Sequence, residues 1–143
     1  MVSAETSPMQ IRRIDLQSIQ FRRGQQPPST DRDELSYKLG IQQSVKIHDE
    51  DSSEALVKLS LKIDWETDNP PFELAMTYLA FVSQDGSLSD EDFKGRCRSR
   101  VAESMLSQIR PFVSRLMFES GKDFRLPLLD LNELSYTSEQ AAW

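Results

Sequence analysis

The chain has one cysteine, five glycines and no apolar run that approaches the length of a membrane span. Each shortage excludes something. A single thiol, Cys97, cannot form an internal disulfide, and a reducing compartment fits. The opening MVSAETSPMQIRR has no apolar core of the kind a signal peptide needs. A soluble, cytoplasmic protein is therefore expected. There is no glycine-rich phosphate loop, metal-ligand cluster or catalytic triad, so the expectation is a non-enzyme without cofactor or metal. Positive charge is also in deficit. With 17 Lys and Arg against 23 Asp and Glu, the net charge is −6 at pH 7, which argues against nucleic acid or an anionic membrane as partner. Neither internal repeats nor low-complexity segments occur.

What is present suffices for one domain with a real core: 143 residues, 38% of them hydrophobic. Residues 1–8 read as a polar tail. Residues 9–23, MQIRRIDLQSIQFRR, read as a strand whose apolar parity slips twice. Met9 and Ile11 share one parity, Ile14 and Leu16 the other, and Ile19 and Phe21 return to the first. A bulged or strongly twisted strand accommodates such slips, with a helix as the competing assignment. Residues 24–33, GQQPPSTDRD, are a loop.

Leu35, Tyr37, Leu39, Ile41, Val45 and Ile47 then alternate with mostly polar neighbours, Gln43 being the one polar gap. After an acidic turn at 48–54, Ala55, Val57, Leu59, Leu61, Ile63 and Trp65 repeat the pattern. Residues 72–82, FELAMTYLAFV, are apolar on both faces, as in a strand covered on both sides. In so small a chain the second cover is expected to be another subunit, hence a homo-oligomer.

Ser89 followed by Asp90, Glu91 and Asp92 is a helix start, and apolar residues recur at steps of three and four from Phe93 to Met117. Pro111 predicts a break or kink near 109–111, dividing two helices. Gly121 is the expected C-cap, and FRLPLL at 124–129 leaves as an extended segment. The fold class is α+β: a four-stranded antiparallel meander followed by proline-interrupted helices on one face. The domain spans 9–134, and 135–143 is a C-terminal tail.

Candidate chemistry fares poorly against plainer explanations. Cys97 and His48 could be nucleophile and base, but Cys97 sits on an apolar helix face and His48 in an acidic turn. His48-Asp49-Glu50-Asp51 lacks the spacing of a calcium loop and reads as a solvated turn. Arg96, Arg98 and Arg100, with Arg12, Arg13, Arg22 and Arg23, lack the interleaved aromatics of a nucleic-acid surface. The aromatic residues are core, groove lining, or both.

The pattern Ile11, Ile14, Ile19, Phe21 on a first strand, four long strands, the Pro111-Phe112 pair and the Gly121 stop followed by Leu126-Pro127-Leu128 together resemble SecB and the SecB-like chaperones. The resemblance covers about residues 10–134 and rests on apolar patterns. It implies a four-stranded sheet with helices on one side, a dimer of dimers, and holdase activity toward unfolded chains such as a preprotein or an antitoxin. It further implies a client groove among Phe21, Tyr37, Phe72, Tyr78, Phe81, Phe112, Met117, Phe118, Phe124, Leu126 and Leu128. The family docks its translocase through acidic residues on the first strand and a Leu-x-Glu on the last. Those positions fall on Ser18, Arg22 and Leu74-Ala75-Met76, and Thr77-Tyr78-Leu79 replaces the stretch that follows. Docking to a translocase motor is accordingly not expected. A dedicated single-partner scaffold on the same fold is the alternative function.

Overall fold

In the computed structural model, residues 8–24, 37–122, 124–126 and 135–137 are described. The polar tail at 1–7, the loop after Gly24, Leu35, and Pro127-Leu128 lie outside the described residues. Strands β1 (Met9–Arg23), β2 (Tyr37–Ile47), β3 (Glu54–Trp65) and β4 (Phe72–Gln84) are followed by α1 (Asp90–Arg96), a π-helical turn (Cys97–Val101), α2 (Ala102–Glu119) and β5 (Ser135–Thr137).

The fold class is α+β as the sequence predicts, with two corrections to the sheet. Its order is β1-β4-β3-β2-β5, so only β2, β3 and β4 form a meander, and β1 lies beside β4 rather than β2. Three residues of the expected C-terminal tail form β5, which pairs parallel with β2 at Gln42–Ser44. β4 lies inside the sheet, paired on both edges by β1 and β3. Its outer-face residues Leu79 and Phe81 are half-buried within the chain itself, with the Arg13 guanidinium 4.5 Å above the Phe81 ring.

The parity slips of β1 are bulges. Register shifts fall between Ile11 and Arg13 and between Leu16 and Ser18, leaving Arg12 and Gln17 unopposed. Each bulge returns the apolar residues to one face. Ile11, Ile14, Leu16, Ile19 and Phe21 stand opposite Val82, Ala80, Tyr78, Met76 and Leu74. The partners on β4 are all buried on the face that the helices cover. One strand with two period-two errors thus presents a single apolar row.

Ser89 caps α1, its hydroxyl accepting from the Asp92 N–H at 3.2 Å. Phe93, Cys97, Val101, Met105, Ile109, Val113 and Met117 are buried against the sheet. The break expected at Pro111 is absent. Helix α2 runs through it, with Pro111 exposed while Ile109 and Val113 stay buried on the other side. The packing of those two residues outweighs one lost backbone bond, because a single N–H is worth less than two buried aliphatic side chains. Irregularity comes earlier, in the π-helical turn.

That turn accounts for the polar gap in β2. Gln43, 3% exposed, donates from Nε2 to the carbonyls of Cys97 (3.4 Å) and Arg98 (3.3 Å). A buried amide is tolerated because it is bonded. Gln43→Leu strips both carbonyls of this donor, and denaturant unfolding is expected to show a loss of about 1–3 kcal/mol. At the far end, Gly121 at φ +70° closes α2 as expected. Its N–H reaches Phe118 O, and the Lys122 N–H reaches Met117 O at 2.9 Å.

Candidate functional site

The helices lie over β2 and β3. Among the described residues nothing comparable covers β1, which forms one side of the same face. Leu16 is 38% exposed and Ile19 37%, although both are large and apolar and project on the core side. The result is an open apolar trough along β1, beside the buried row of β4.

At one end of the sheet the trough meets an aromatic cluster. Phe21, Tyr37, Trp65 and Phe72 come from β1, β2, β3 and β4 respectively, and Phe124 folds back onto them after α2. Centroid separations are 5.2 Å for Tyr37–Trp65, Trp65–Phe72 and Phe72–Phe124, 5.3 Å for Tyr37–Phe124 and 6.1 Å for Phe21–Phe72. Most contacts are edge-to-face, the arrangement that aromatic quadrupoles favour. Arg110 donates from Nη1 to the Leu126 carbonyl at 3.1 Å and so ties the returning segment to α2. A cleft of about 740 Å³ opens beside the cluster. Ile19, Phe21, Trp65 and Leu74 supply its apolar lining, and Arg22, Lys62, Asp64 and Glu73 its charged lining.

The eleven residues expected to line a groove do not share one place. Phe21, Tyr37, Phe72 and Phe124 converge in the cluster. Tyr78, Met117 and Leu126 are core, Phe112 is half-buried against it, and Phe81 lies on the opposite face of the sheet. Phe118 projects outward, 85% exposed. Leu128 is outside the described residues. Sequence reasoning missed Trp65, Leu16 and Ile19 as site residues. A signal for Trp65 existed, since it ends the β3 alternation and pairs with Tyr37. Its indole Nε1 is buried and, among the described residues, has no hydrogen-bond partner.

Of the positions aligned with a translocase-docking surface, Ser18 and Arg22 do lie on the outer face, opposite Thr77 and Glu73. Arg22 stands 3.9 Å from Glu73, an exposed pair of small energetic weight. Met76 requires correction. It is 2% exposed and faces the helices, because even-numbered β4 residues point to the core. The outer-face residues of that stretch are Glu73, Ala75 and Thr77.

Cys97 is fully buried, and desolvation pushes its thiol up to about 12 from an ordinary value near 9.0. That is the reverse of an activated nucleophile. His48 lies at the β2–β3 turn, where Nδ1 accepts the Glu50 N–H at 3.1 Å. Folded protein holds the thiol proton more tightly than unfolded protein does. The associated stability is therefore complete below pH 9 and is lost as pH rises toward 12. A thiol reagent such as dithionitrobenzoate should leave the folded chain unlabelled at pH 8 and react fully in denaturant. Rapid labelling of folded protein would contradict this burial. Among the described residues no group of three or more His, Cys, Asp or Glu could hold a metal ion, and no helix is long and apolar enough to cross a membrane.

The architecture is a SecB-like α+β fold. Among solved structures, the chain is similar to the Mycobacterium tuberculosis Rv1957 SecB-like chaperone in complex with a ChAD peptide from the Rv1956 HigA1 antitoxin. The TM-score is 0.67 at 17% sequence identity, over 86% of this chain and 88% of that one. No protein-family model and no curated protein matches the sequence.

Proposed function

We propose that the chain is an ATP-independent holdase that binds extended, non-native polypeptide on the helix-side face of its sheet. The observation that carries this reading is the open apolar trough, with Leu16 and Ile19 more than a third exposed where the fold would otherwise bury them. The neighbouring aromatic cluster lengthens the apolar surface. Broad apolar contact suits clients that share no fixed side-chain code. The similar mycobacterial chaperone is in complex with an antitoxin peptide, so a short segment of an antitoxin or of a preprotein is the kind of client we expect. A cytoplasmic location belongs to the same reading.

Self-association is part of the proposal. The half-buried outer residues Leu79 and Phe81 favour an assembly of at least two copies, and a dimer of dimers by analogy. Light scattering is expected to give a mass well above 16.4 kDa, lowered in Leu79→Asp. A monomer mass for the unmodified chain would contradict it. Docking to an export motor is not part of the proposal, because Ser18 and Arg22 put a neutral and a basic side chain at the two first-strand positions.

Aggregation assays test the function. The chain should suppress aggregation of several unrelated, chemically unfolded proteins without nucleotide. Suppression confined to one protein would replace this reading with a dedicated scaffold, and no suppression would end it.

A further inference from the structure

One edge of β2 is paired with β3 along all 11 residues from Tyr37 to Ile47. Its other edge carries β5, which is 3 residues long and, among the described residues, pairs with Gln42, Gln43 and Ser44. β5 is also the sheet's only parallel strand among the described residues, a pairing slightly weaker per residue than the antiparallel one. A short parallel strand on a long edge is a replaceable occupant. Resting on the polypeptide-binding reading above, we infer that this edge of β2 takes an extended peptide as an added strand, and that β5 is the chain's own competitor for it.

Three features favour such an exchange. An added strand that pairs along the whole of β2 gains backbone bonds over about 35 Å, against three residues for β5. Backbone pairing is indifferent to side-chain identity and so fits varied clients. The edge is also held in shape before anything binds, because Gln43, at the centre of the β5 contact, is fixed by its amide bonds to the π-helical turn. A preformed edge spares the client the cost of ordering it.

The edge continues directly into the site already described. Tyr37, the first residue of β2, packs 5.2 Å from Trp65 and 5.3 Å from Phe124. Strand chemistry then defines the ligand. Ile41, Gln43 and Val45 face the helices while Gln42 and Ser44 face away, so the preferred segment carries apolar side chains at alternate positions.

The test uses fluorescent, reduced and carboxymethylated α-lactalbumin as a permanently unfolded probe. In a parallel pair, alternate residues turn their N–H toward the neighbour, so Tyr136→Pro with Thr137→Pro removes a donor whichever one points inward. With β5 weakened, a larger fraction of the chain is competent to bind, and about tenfold tighter probe binding is expected. Equal or weaker affinity in the folded variant overturns the inference. Hydrogen exchange on the unmodified chain gives a second readout that does not depend on the variant folding. Saturation with probe should remove protection from Ser135–Thr137 while Gln42–Ser44 keep theirs, and continued protection of Ser135–Thr137 overturns the inference. Probe binding with unchanged exchange sinks this inference alone. If the unmodified chain binds no probe, the polypeptide-binding reading falls with it.

Discussion

Leu16→Asp combined with Ile19→Asp is expected to weaken client binding about hundredfold while leaving the protein folded. Both side chains are more than a third exposed, so an introduced carboxylate at either position keeps access to water. The cost to the fold should be small, within about 1 kcal/mol for the pair. The cost to binding is larger. Each side chain that a client covers contributes about 1.5 kcal/mol, and each such loss is roughly tenfold in affinity. Fluorescence anisotropy with an unfolded probe should show about hundredfold weaker binding, and the melting temperature should move by only a few degrees. The matched control is Lys58→Asp with Lys62→Asp on β3. Those lysines alternate with the buried Leu59, Leu61 and Ile63 and project from the opposite face. Loss of affinity in the control alone would place the binding surface on the wrong face of the sheet.

The largest effect on stability should come from Phe72→Ala. Phe72 is 1% exposed and contacts Phe21, Trp65 and Phe124 in the cluster. Truncation removes a large buried ring and leaves a cavity that three other aromatic side chains can fill only in part. A loss of about 3–5 kcal/mol is expected in denaturant unfolding. Phe118→Ala is the contrasting case. The ring is 85% exposed, and its removal should change stability by less than about 0.5 kcal/mol. Equal losses in the two variants would mean that the cluster is not packed as described.

These two residues also illustrate what a sequence can and cannot carry. Phe72 begins a run that is apolar on both faces, and that run predicts a central strand whatever its neighbours are. The alternation of Tyr37–Ile47 and Ala55–Trp65 likewise reports local geometry, because period two is a property of the strand itself. Strand order is different. Nothing in the composition of β1 says that it lies beside β4, since pairing joins residues far apart along the chain. The parity slips of β1 were legible as bulges, but their result, one continuous apolar row, needed the partner strand to define the face.

Pro111 shows a local rule losing to packing. Proline opposes helix by roughly 3 kcal/mol, but Ile109, Val113 and Met117 hold the following turns on the sheet. Gln43 shows the converse, a polar residue in an apolar row that marks a specific tertiary bond. The site was the least legible part. Aromatic residues identify themselves by type, but whether a given ring is core, like Tyr78, or projects into solvent, like Phe118, depends on which face the helices cover. Leu16 and Ile19 gave no signal of exposure, because a helix that lay one strand further across would have buried them.

Methyl NMR of the isoleucine- and leucine-labelled chain, titrated with a permanently unfolded polypeptide, bears most directly on where clients bind. Shifts are expected at Leu16, Ile19 and Ile14 on the helix side of β1, spreading to Ile63 and Leu74 near the aromatic cluster, with Leu56 and Leu79 on the outer face unmoved. Shifts confined to Leu56 and Leu79, or none at saturating probe, would contradict it.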